Sequence, residues 1–163
     1  EQKALSKTIY NKLKQLQHSL HNNNLSNKKS ACFWCTCPFD NHPVYIPKSY
    51  LKNKYTLHII TNGFEEVQHI KLAAADLKQY FDVVVTSEKV GVKKPNSKIF
   101  EFALEQANAK AEQSIMIGDD LVVDVLGAEK AGMQGIYFNP NKEEHKEEVV
   151  HEIFCLSELM TLL

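Results

Sequence analysis

Short apolar runs alternate with helical segments through most of this chain, and that alternation limits the folds it can adopt. Strands are predicted at residues 57–60, 83–85, 114–117 and 136–138, with a last edge strand at residues 153–155. Between them, helical spacing predicts helices at about residues 65–78, 96–108 and 125–132. Strands that alternate with helices of about 10 to 15 residues form β-α-β units with parallel strands. The sequence therefore predicts an α/β fold built on a parallel sheet.

Composition excludes several classes of protein and restricts the chemistry of any phosphate site. The 163 residues suit one domain, and the formal net charge of −1 gives no basic surface for nucleic acid. No apolar run approaches the roughly 20 residues of a membrane-spanning helix, and no signal peptide opens the sequence, so a cytoplasmic location is expected. All 19 basic residues are lysines. Phosphate recognition would therefore use lysine and backbone amides, without bidentate arginine contacts.

Two of the predicted strands are followed by groups that could bind an anion. Thr61, Asn62 and Gly63 come directly after the first strand, where backbone N–H groups at the start of a helix would face an anion. Lys94 lies in the loop after the second strand, and Pro95 suits the first turn of the next helix, which would place Lys94 at its mouth. The ordinary alternatives are an N-cap with a glycine turn and a solvated surface lysine.

The third predicted strand is followed by a glycine and by three carboxylates, Asp119, Asp120 and Asp124. Ligands bind at the carboxyl ends of the strands in open α/β sheets, and grouped carboxylates suit a hard cation such as Mg²⁺. Alternatively, Asp119 or Asp120 only caps the following helix, although a cap explains one carboxylate and not three. An anion cradle, a lysine and a metal cluster at one edge of a sheet are what phosphate chemistry requires.

In order and spacing, these segments resemble the haloacid dehalogenase-like superfamily of phosphohydrolases. Residues 59–63 look like the family's second motif, residues 91–96 like the third and residues 118–124 like the fourth. The resemblance covers about residue 48 to the end and is strongest to the branch of pyrimidine 5′-nucleotidases and related small-molecule phosphatases. It implies a three-layer, Rossmann-like core at residues 48–163, preceded by an atypical N-terminal segment at residues 1–47.

The resemblance also implies a role for the groups after the first two strands. Thr61 would hydrogen-bond the transferring phosphoryl group, with Asn62 and the Gly63 amide beside it. Lys94 would neutralise the charge on the nucleophile and on the phosphate. The substrate would be a small phosphorylated molecule.

The carboxylates after the third strand would hold the cofactor that the resemblance implies, which is Mg²⁺. Asp119 would be its main ligand from this half of the site. Asp120 could contact the ion or its waters, and Asp124 would orient the water shell of the metal or Lys94.

The family's first motif, Asp-x-Asp-x-Thr, has no counterpart in this sequence. In the family its first aspartate attacks phosphorus and its second is the general acid and base, on a strand between those that end at Thr61 and Gly118. The only aspartate before Thr61 is Asp40, with no second carboxylate two residues later. Three explanations are open. The chain is a truncated or frame-disrupted copy, residues 31–37 replace the central strand, or another chain donates it. Donation would mean self-association to cover the incomplete sheet.

The N-terminal segment has two further features. Residues 3–21 have apolar residues at helical spacing and are predicted to form an amphipathic helix that packs on its own domain. Cys32, Cys35, Cys37 and His42 supply four soft ligands for zinc, but a second ligand pair at the usual distance is missing. Buried free thiols are the simpler interpretation.

The function expected from the sequence is that of a Mg²⁺-dependent phosphomonoesterase for a small phosphorylated metabolite or a nucleoside monophosphate. Hydrolysis is expected to be absent or severely reduced in this chain, because no aspartate nucleophile is found. One alternative is a non-catalytic phosphate- or nucleotide-binding module. Another is a zinc-bearing interaction protein that uses residues 32–42. Nucleic-acid and membrane partners are not expected.

Overall fold

The structure of the protein is a computed structural model that describes residues 29–33, 51–52, 54–74 and 77–163, and for residues 29–33 it describes the backbone alone. The helix predicted at residues 3–21 lies outside the described residues. So do Cys35, Cys37 and His42, and the zinc hypothesis stays a prediction.

Six parallel strands form a single sheet in the described part of the chain. They are β1 Lys29–Phe33, β2 Tyr55–Thr61, β3 Val83–Thr86, β4 Ser114–Gly118, β5 Gln134–Phe138 and β6 Glu152–Ile153. Their order is β3-β2-β1-β4-β5-β6, and every neighbouring pair is parallel. The predicted α/β fold with a parallel sheet is confirmed. The predicted edge strand at residues 153–155 is observed one residue earlier, as β6.

The helices connect these strands and cover the sheet. They are α1 Glu65–Ala74, α2 Ser87–Val90, α3 Ser97–Ala107, α4 Leu126–Lys130 and α5 Leu159–Leu162. A π-helical turn, Leu121–Val125, precedes α4 directly. Single 3₁₀ turns lie at Lys78–Tyr80, Ala111–Gln113 and Leu156–Glu158. None of the helices within the described ranges is long and apolar enough to cross a bilayer.

The central position of the sheet is occupied by β1, which belongs to the chain itself. Phe33 is opposite Ile117 of β4, and Cys32 is opposite His58 of β2. The backbone groups of β2 and β4 that face each other need partners, and β1 supplies them. Of the open explanations, a replacement strand fits this arrangement, but it begins at Lys29, two residues before the predicted position. Self-association stays a prediction. The domain boundary between residues 47 and 48 also stays a prediction, although β1 precedes that boundary and pairs with strands β2 and β4 of the core.

Apolar side chains cover both faces of the sheet, as expected for buried parallel strands. On one face, Ile117 and Phe138 pack with Leu159 of the C-terminal helix. On the other face, Ile60 and Met116 pack with Phe100 of α3. Met116 and Ile117 are neighbours in β4 and therefore point to opposite faces. This double-sided packing fixes the carboxyl ends of the strands, where the polar loops begin.

Candidate functional site

The last residue of β2 is a threonine whose hydroxyl oxygen accepts a hydrogen bond from the turn that follows. Thr61 is buried, and its Oγ1 accepts a hydrogen bond of 3.0 Å from the backbone N–H of Gly63. The Gly63 amide, which the family resemblance places beside the phosphoryl group, is therefore occupied within the turn. Accepting the Gly63 N–H uses only a lone pair of the Thr61 oxygen, so this bond does not engage the hydroxyl proton.

Asn62 joins the turn after β2 to the loop that contains Lys94. Its Oδ1 accepts a hydrogen bond of 2.7 Å from the backbone N–H of Lys94, and its Nδ2 donates one of 3.1 Å to the Lys94 carbonyl. Two bonds between one side chain and one residue's backbone fix the relative position of the two loops. In this geometry the Asn62 carboxamide holds Lys94 in place.

The loop that carries Lys94 is bounded by a glycine and a helix cap. Gly91 ends α2 with a φ of 78°, in the left-handed region that glycine adopts without strain. Asn96 is the N-cap of α3, and its side chain accepts a hydrogen bond from the backbone N–H of Lys98. The expectation that Pro95 lies in the first turn of this helix was wrong, because Asn96 caps the helix and Pro95 precedes the cap.

Lys94 and Asp124 form a buried ion pair above the ends of the strands. The Nζ of Lys94 lies 2.6 Å from the Oδ1 of Asp124, and the residues are only 7% and 2% exposed. Burial raises the pKa of the Asp124 carboxyl, while the Lys94 ammonium acts to lower it and the charge of Asp119 adds to the rise. The pair links the loops after β3 and β4, as Asn62 links those after β2 and β3.

The π-helical turn brings Asp124 over the end of β4. The N–H of Leu126 bonds to the carbonyl of Leu121, and the wider turn leaves Asp124 facing inward. A Cβ on Gly118 would collide with the Cβ and carboxylate of Asp124, so only glycine leaves room for this aspartate. Isolated π-helical turns of this kind are frequent at functional sites. The sequence predicted a helix here but not its π-helical start.

Asp119 and Asp120 lie at the same edge of the sheet, with different surroundings. The Oδ1 of Asp120 accepts a hydrogen bond of 2.9 Å from the N–H of Val123, so this residue caps the helical turn. Asp119 is half-buried and close enough to Asp124 for its charge to act on that carboxyl. Among the described residues, no three or more His, Cys, Asp or Glu side chains converge as a metal cage. Mg²⁺ commonly uses only one or two protein carboxylates and keeps several waters, a need that Asp119 and Asp120 can meet.

Gln68 of α1 packs against the turn after β2, although the sequence did not single it out. It is 7% exposed and packs against Gly63, where its carboxamide takes the space that a Cβ would need. A signal was present, since Gln68 precedes the buried Leu72 by four residues and so lies on the same face of the helix. Its polarity concealed it, because a glutamine on a helix is expected to face solvent.

Comparison with known proteins places this arrangement within one family. A family model described as haloacid dehalogenase-like hydrolase matches residues 44–138. The pyrimidine 5′-nucleotidase YjjG of Escherichia coli is 40% identical over 116 residues, which are 69% of this chain and 52% of that protein. The glyceraldehyde 3-phosphate phosphatase of Methanothermobacter thermautotrophicus is 37% identical over 150 residues, 91% of this chain and 64% of that protein.

One solved structure combines the same fold with a bound metal. The HAD-hydrolase YfnB from Bacillus subtilis, solved bound to magnesium, matches with a TM-score of 0.65 and 31% identity, over 71% of this chain and 51% of that chain. The chain thus spans between about half and two thirds of the length of these relatives.

Proposed function

The chain belongs to the haloacid dehalogenase-like hydrolase family, and from this premise we propose that its site is that of a Mg²⁺-dependent phosphomonoesterase. The proposed substrate class is a small phosphorylated metabolite or a nucleoside monophosphate, in line with the relatives named as phosphatase and nucleotidase. We further propose that this chain hydrolyses such substrates weakly or not at all. The reason is that no Asp-x-Asp pair precedes Thr61 in its sequence.

One observation carries the proposal, which is the set of bonds that joins three separate loops at the carboxyl edge of the sheet. Asn62 holds the backbone of Lys94, and the ammonium of Lys94 contacts Asp124. Burying the charges of Lys94 and Asp124 costs desolvation free energy. A buried ion pair is therefore, by itself, only weak evidence that the pair stabilises the fold. A binding role for this charged edge accounts for that cost, because a phosphate and a cation would gain most where water is excluded.

The residues of the chain would act on a bound phosphate by positioning and by charge. The Thr61 hydroxyl would donate its proton to a phosphoryl oxygen. Lys94 would place a positive charge beside the phosphate, with Asp124 fixing the direction of the ammonium. Asn62 would hold Lys94 from its backbone, so that the charge is in place before the ligand binds.

The metal would be held by Asp119, with Asp120 as a second carboxylate. A bound Mg²⁺ would neutralise phosphate charge and orient the group for attack. Asp124 is already paired with Lys94, so its proposed contribution is to position that lysine and the water shell of the metal.

Titrating inorganic phosphate into the protein by calorimetry, with and without Mg²⁺, tests the proposed site. We expect phosphate to bind in the presence of Mg²⁺, and we expect Asp119→Ala to weaken this binding strongly. Asp82→Ala is the matched control, because Asp82 is an exposed aspartate just before β3. Absence of phosphate binding, or equal binding by the Asp119→Ala variant, would contradict the proposal.

A second candidate function is a non-catalytic phosphate- or nucleotide-binding module. The sequence favours it specifically, because the groups proposed to hold phosphate and metal are present while the nucleophile is not found. Phosphate binding together with background hydrolysis is the result that this candidate predicts. The zinc-bearing alternative depends on residues outside the described ranges, and metal analysis of the purified protein tests it.

A further inference from the structure

The start of helix α1 is occupied by a carboxylate from another part of the chain. The backbone N–H of Glu65, the first residue of α1, donates a hydrogen bond of 2.8 Å to the Oε2 of Glu88. Glu88 belongs to α2, which precedes the loop that carries Lys94. The N-terminal end of a helix attracts anions, because its first N–H groups have no partners within the helix. The chain places one of its own anions at this end.

The start of α1 carries more negative charge than a helix end requires. Glu65 and Glu66 are acidic residues in its first turn, and the carboxylate of Glu88 is a third. A neutral acceptor, such as an amide oxygen, could also bind the Glu65 N–H. Carboxylates that are close together repel one another. Capping of the helix therefore explains the hydrogen bond of Glu88 but not its charge.

The carboxylate of Glu88 lies beside the turn that follows β2. The Glu65 N–H, which it binds, comes two residues after the Gly63 N–H, and two residues span at most about 7 Å. The Gly63 N–H is bonded to the Oγ1 of Thr61, the proposed donor to phosphate. Glu88 is exposed, so its charge is on the solvent side of the turn. Charges interact over about 10 Å at 0.1 M salt and over longer distances at lower salt.

The positive charges of the neighbouring loops already have partners. The ammonium of Lys94 forms an ion pair with Asp124. The ammonium of Lys89, which follows Glu88 in α2, lies over the ring of Phe102, 6.0 Å from its centroid. The sequence contains no arginine that could receive a second anionic group with two hydrogen bonds. Glu88 therefore adds negative charge at an edge where cationic groups are few.

We infer that Glu88 is a specificity-determining residue that disfavours ligands with a second anionic group. The site then takes phosphate monoesters whose other end is neutral or cationic. This inference rests on the proposed function and narrows its substrate class. Lys94 and a bound cation serve the single phosphoryl group, and repulsion by Glu88 selects against a further negative charge on the same molecule.

Calorimetric titration of three phosphate monoesters, in the presence of Mg²⁺ at pH 8 and low salt, tests this inference. The esters are 2-aminoethyl phosphate, 2-hydroxyethyl phosphate and carboxymethyl phosphate. They are similar in size and differ in the charge of the end that is remote from phosphorus. We expect the parent protein to bind the aminoethyl ester most tightly and the carboxymethyl ester most weakly.

The variant Glu88→Gln keeps an oxygen that can accept the Glu65 N–H and removes the charge. Its affinity for carboxymethyl phosphate should rise about 3-fold to 10-fold above that of the parent, and its affinity for 2-aminoethyl phosphate should not rise. Glu101→Gln makes the same charge change at an exposed position of α3 and should behave as the parent does. In about 1 M salt the preference of the parent should shrink, because exposed charges are screened.

A gain of affinity separates charge selection from a structural role, since damage to the turn would only weaken binding. The melting temperature of Glu88→Gln should be close to that of the parent, because the hydrogen bond to Glu65 is retained. Equal binding of the three esters by the parent, or an unchanged order of affinities with no gain in Glu88→Gln, would overturn the inference and leave the phosphate site standing. Weaker binding of all three esters by Glu88→Gln, with a lower melting temperature, would also overturn it. If the parent binds none of the esters, the proposed function fails and this inference fails with it.

Discussion

The strands β2 and β4 differ from β1, which lies between them, in the residues that come after their carboxyl ends. After β2 and β4 come loops whose side chains, with Lys94, are bonded into one unit. After β1 the sequence continues as Trp34, Cys35, Thr36 and Cys37, with no carboxylate before Asp40. The comparison shows that the sheet and the chemistry have different requirements. A central strand needs backbone groups that pair with its neighbours, whereas a nucleophile needs one particular side chain.

The largest effect is expected when the link between the loops after β3 and β4 is removed. Lys94→Met would leave the carboxylate of Asp124 buried without its counter-charge, and we expect a loss of about 3–5 kcal/mol in the free energy of unfolding. Urea denaturation at pH 8 measures it. Because burial already raises the pKa of Asp124, protonation should relieve the unpaired charge, and the loss should be smaller at pH 5. The exposed neighbour Lys93→Met is the control, and equal losses would refute a special role for the pair.

A smaller effect is expected at the end of β4 itself. Gly118→Ala would place a methyl group against the Cβ and carboxylate of Asp124, and we expect a loss of about 1–3 kcal/mol from this overpacking. Thermal and urea denaturation measure the loss. In the background of Asp124→Gly the methyl group has space, so the same substitution should cost much less there. Equal costs in the two backgrounds would mean that Gly118 has another reason to be glycine.

The link between the loops after β2 and β3 should be weaker than the ion pair, because Asn62 is exposed. Asn62→Ala removes two hydrogen bonds to the Lys94 backbone, and we expect a loss of about 1–2 kcal/mol. Asn62→Asp keeps the acceptor for the Lys94 N–H and should lose less. Urea denaturation compares these variants with Asn141→Ala, an exposed control expected within about 0.5 kcal/mol of the parent. A change at Asn141 as large as that at Asn62 would contradict the assigned link.

The smallest effect concerns His58, which lies on β2 opposite β1. Burial lowers its pKa below 6.5, with Asp82 acting in the opposite direction, and neither ring nitrogen has a hydrogen-bond partner among the described residues. In the unfolded chain His58 takes up a proton near pH 6.5, whereas in the folded chain its lowered pKa keeps it neutral to a lower pH. The free energy of unfolding should therefore decrease as the pH falls through 6.5.

The measurement is the free energy of unfolding at pH 7.5 and pH 5.5 for the parent and for His58→Leu. The variant should show a weaker decrease, by up to about 1.4 kcal/mol for each unit by which the folded pKa lies below its ordinary value. His69→Gln, on the exposed side of α1, is the control. If His58→Leu and the parent lose equal stability on acidification, His58 is not the group that resists protonation.

The sequence predicted the strands β2 to β5 because each is an apolar run with β-branched or aromatic residues, buried on both faces. It did not predict where β1 begins. Lys29–Phe33 reads Lys-Ser-Ala-Cys-Phe, which has little strand character alone, so its position depends on the unpaired edges of its two neighbours. The local sequence alone therefore does not specify where β1 begins, because its pairing with β2 and β4 determines its position.

The sequence also located the polar loops correctly but not the bonds between them. Thr61, Lys94 and Asp124 stand out because they follow predicted strands. The contact from Asn62 to Lys94 joins residues 32 positions apart and depends on how the loops turn after the sheet is formed. Gln68 was missed for a related reason. Only the packing of α1 on Gly63 reveals that this polar residue faces inward.

The most direct test of the central claim is the rate at which the chain hydrolyses p-nitrophenyl phosphate in the presence of Mg²⁺. A site with a phosphate cradle and a metal carboxylate but without the attacking aspartate should release nitrophenol at the background rate, and Asp119→Ala should leave that rate unchanged. Rapid Mg²⁺-dependent hydrolysis that Asp119→Ala abolishes would contradict the claim, since it would require a nucleophile in this chain.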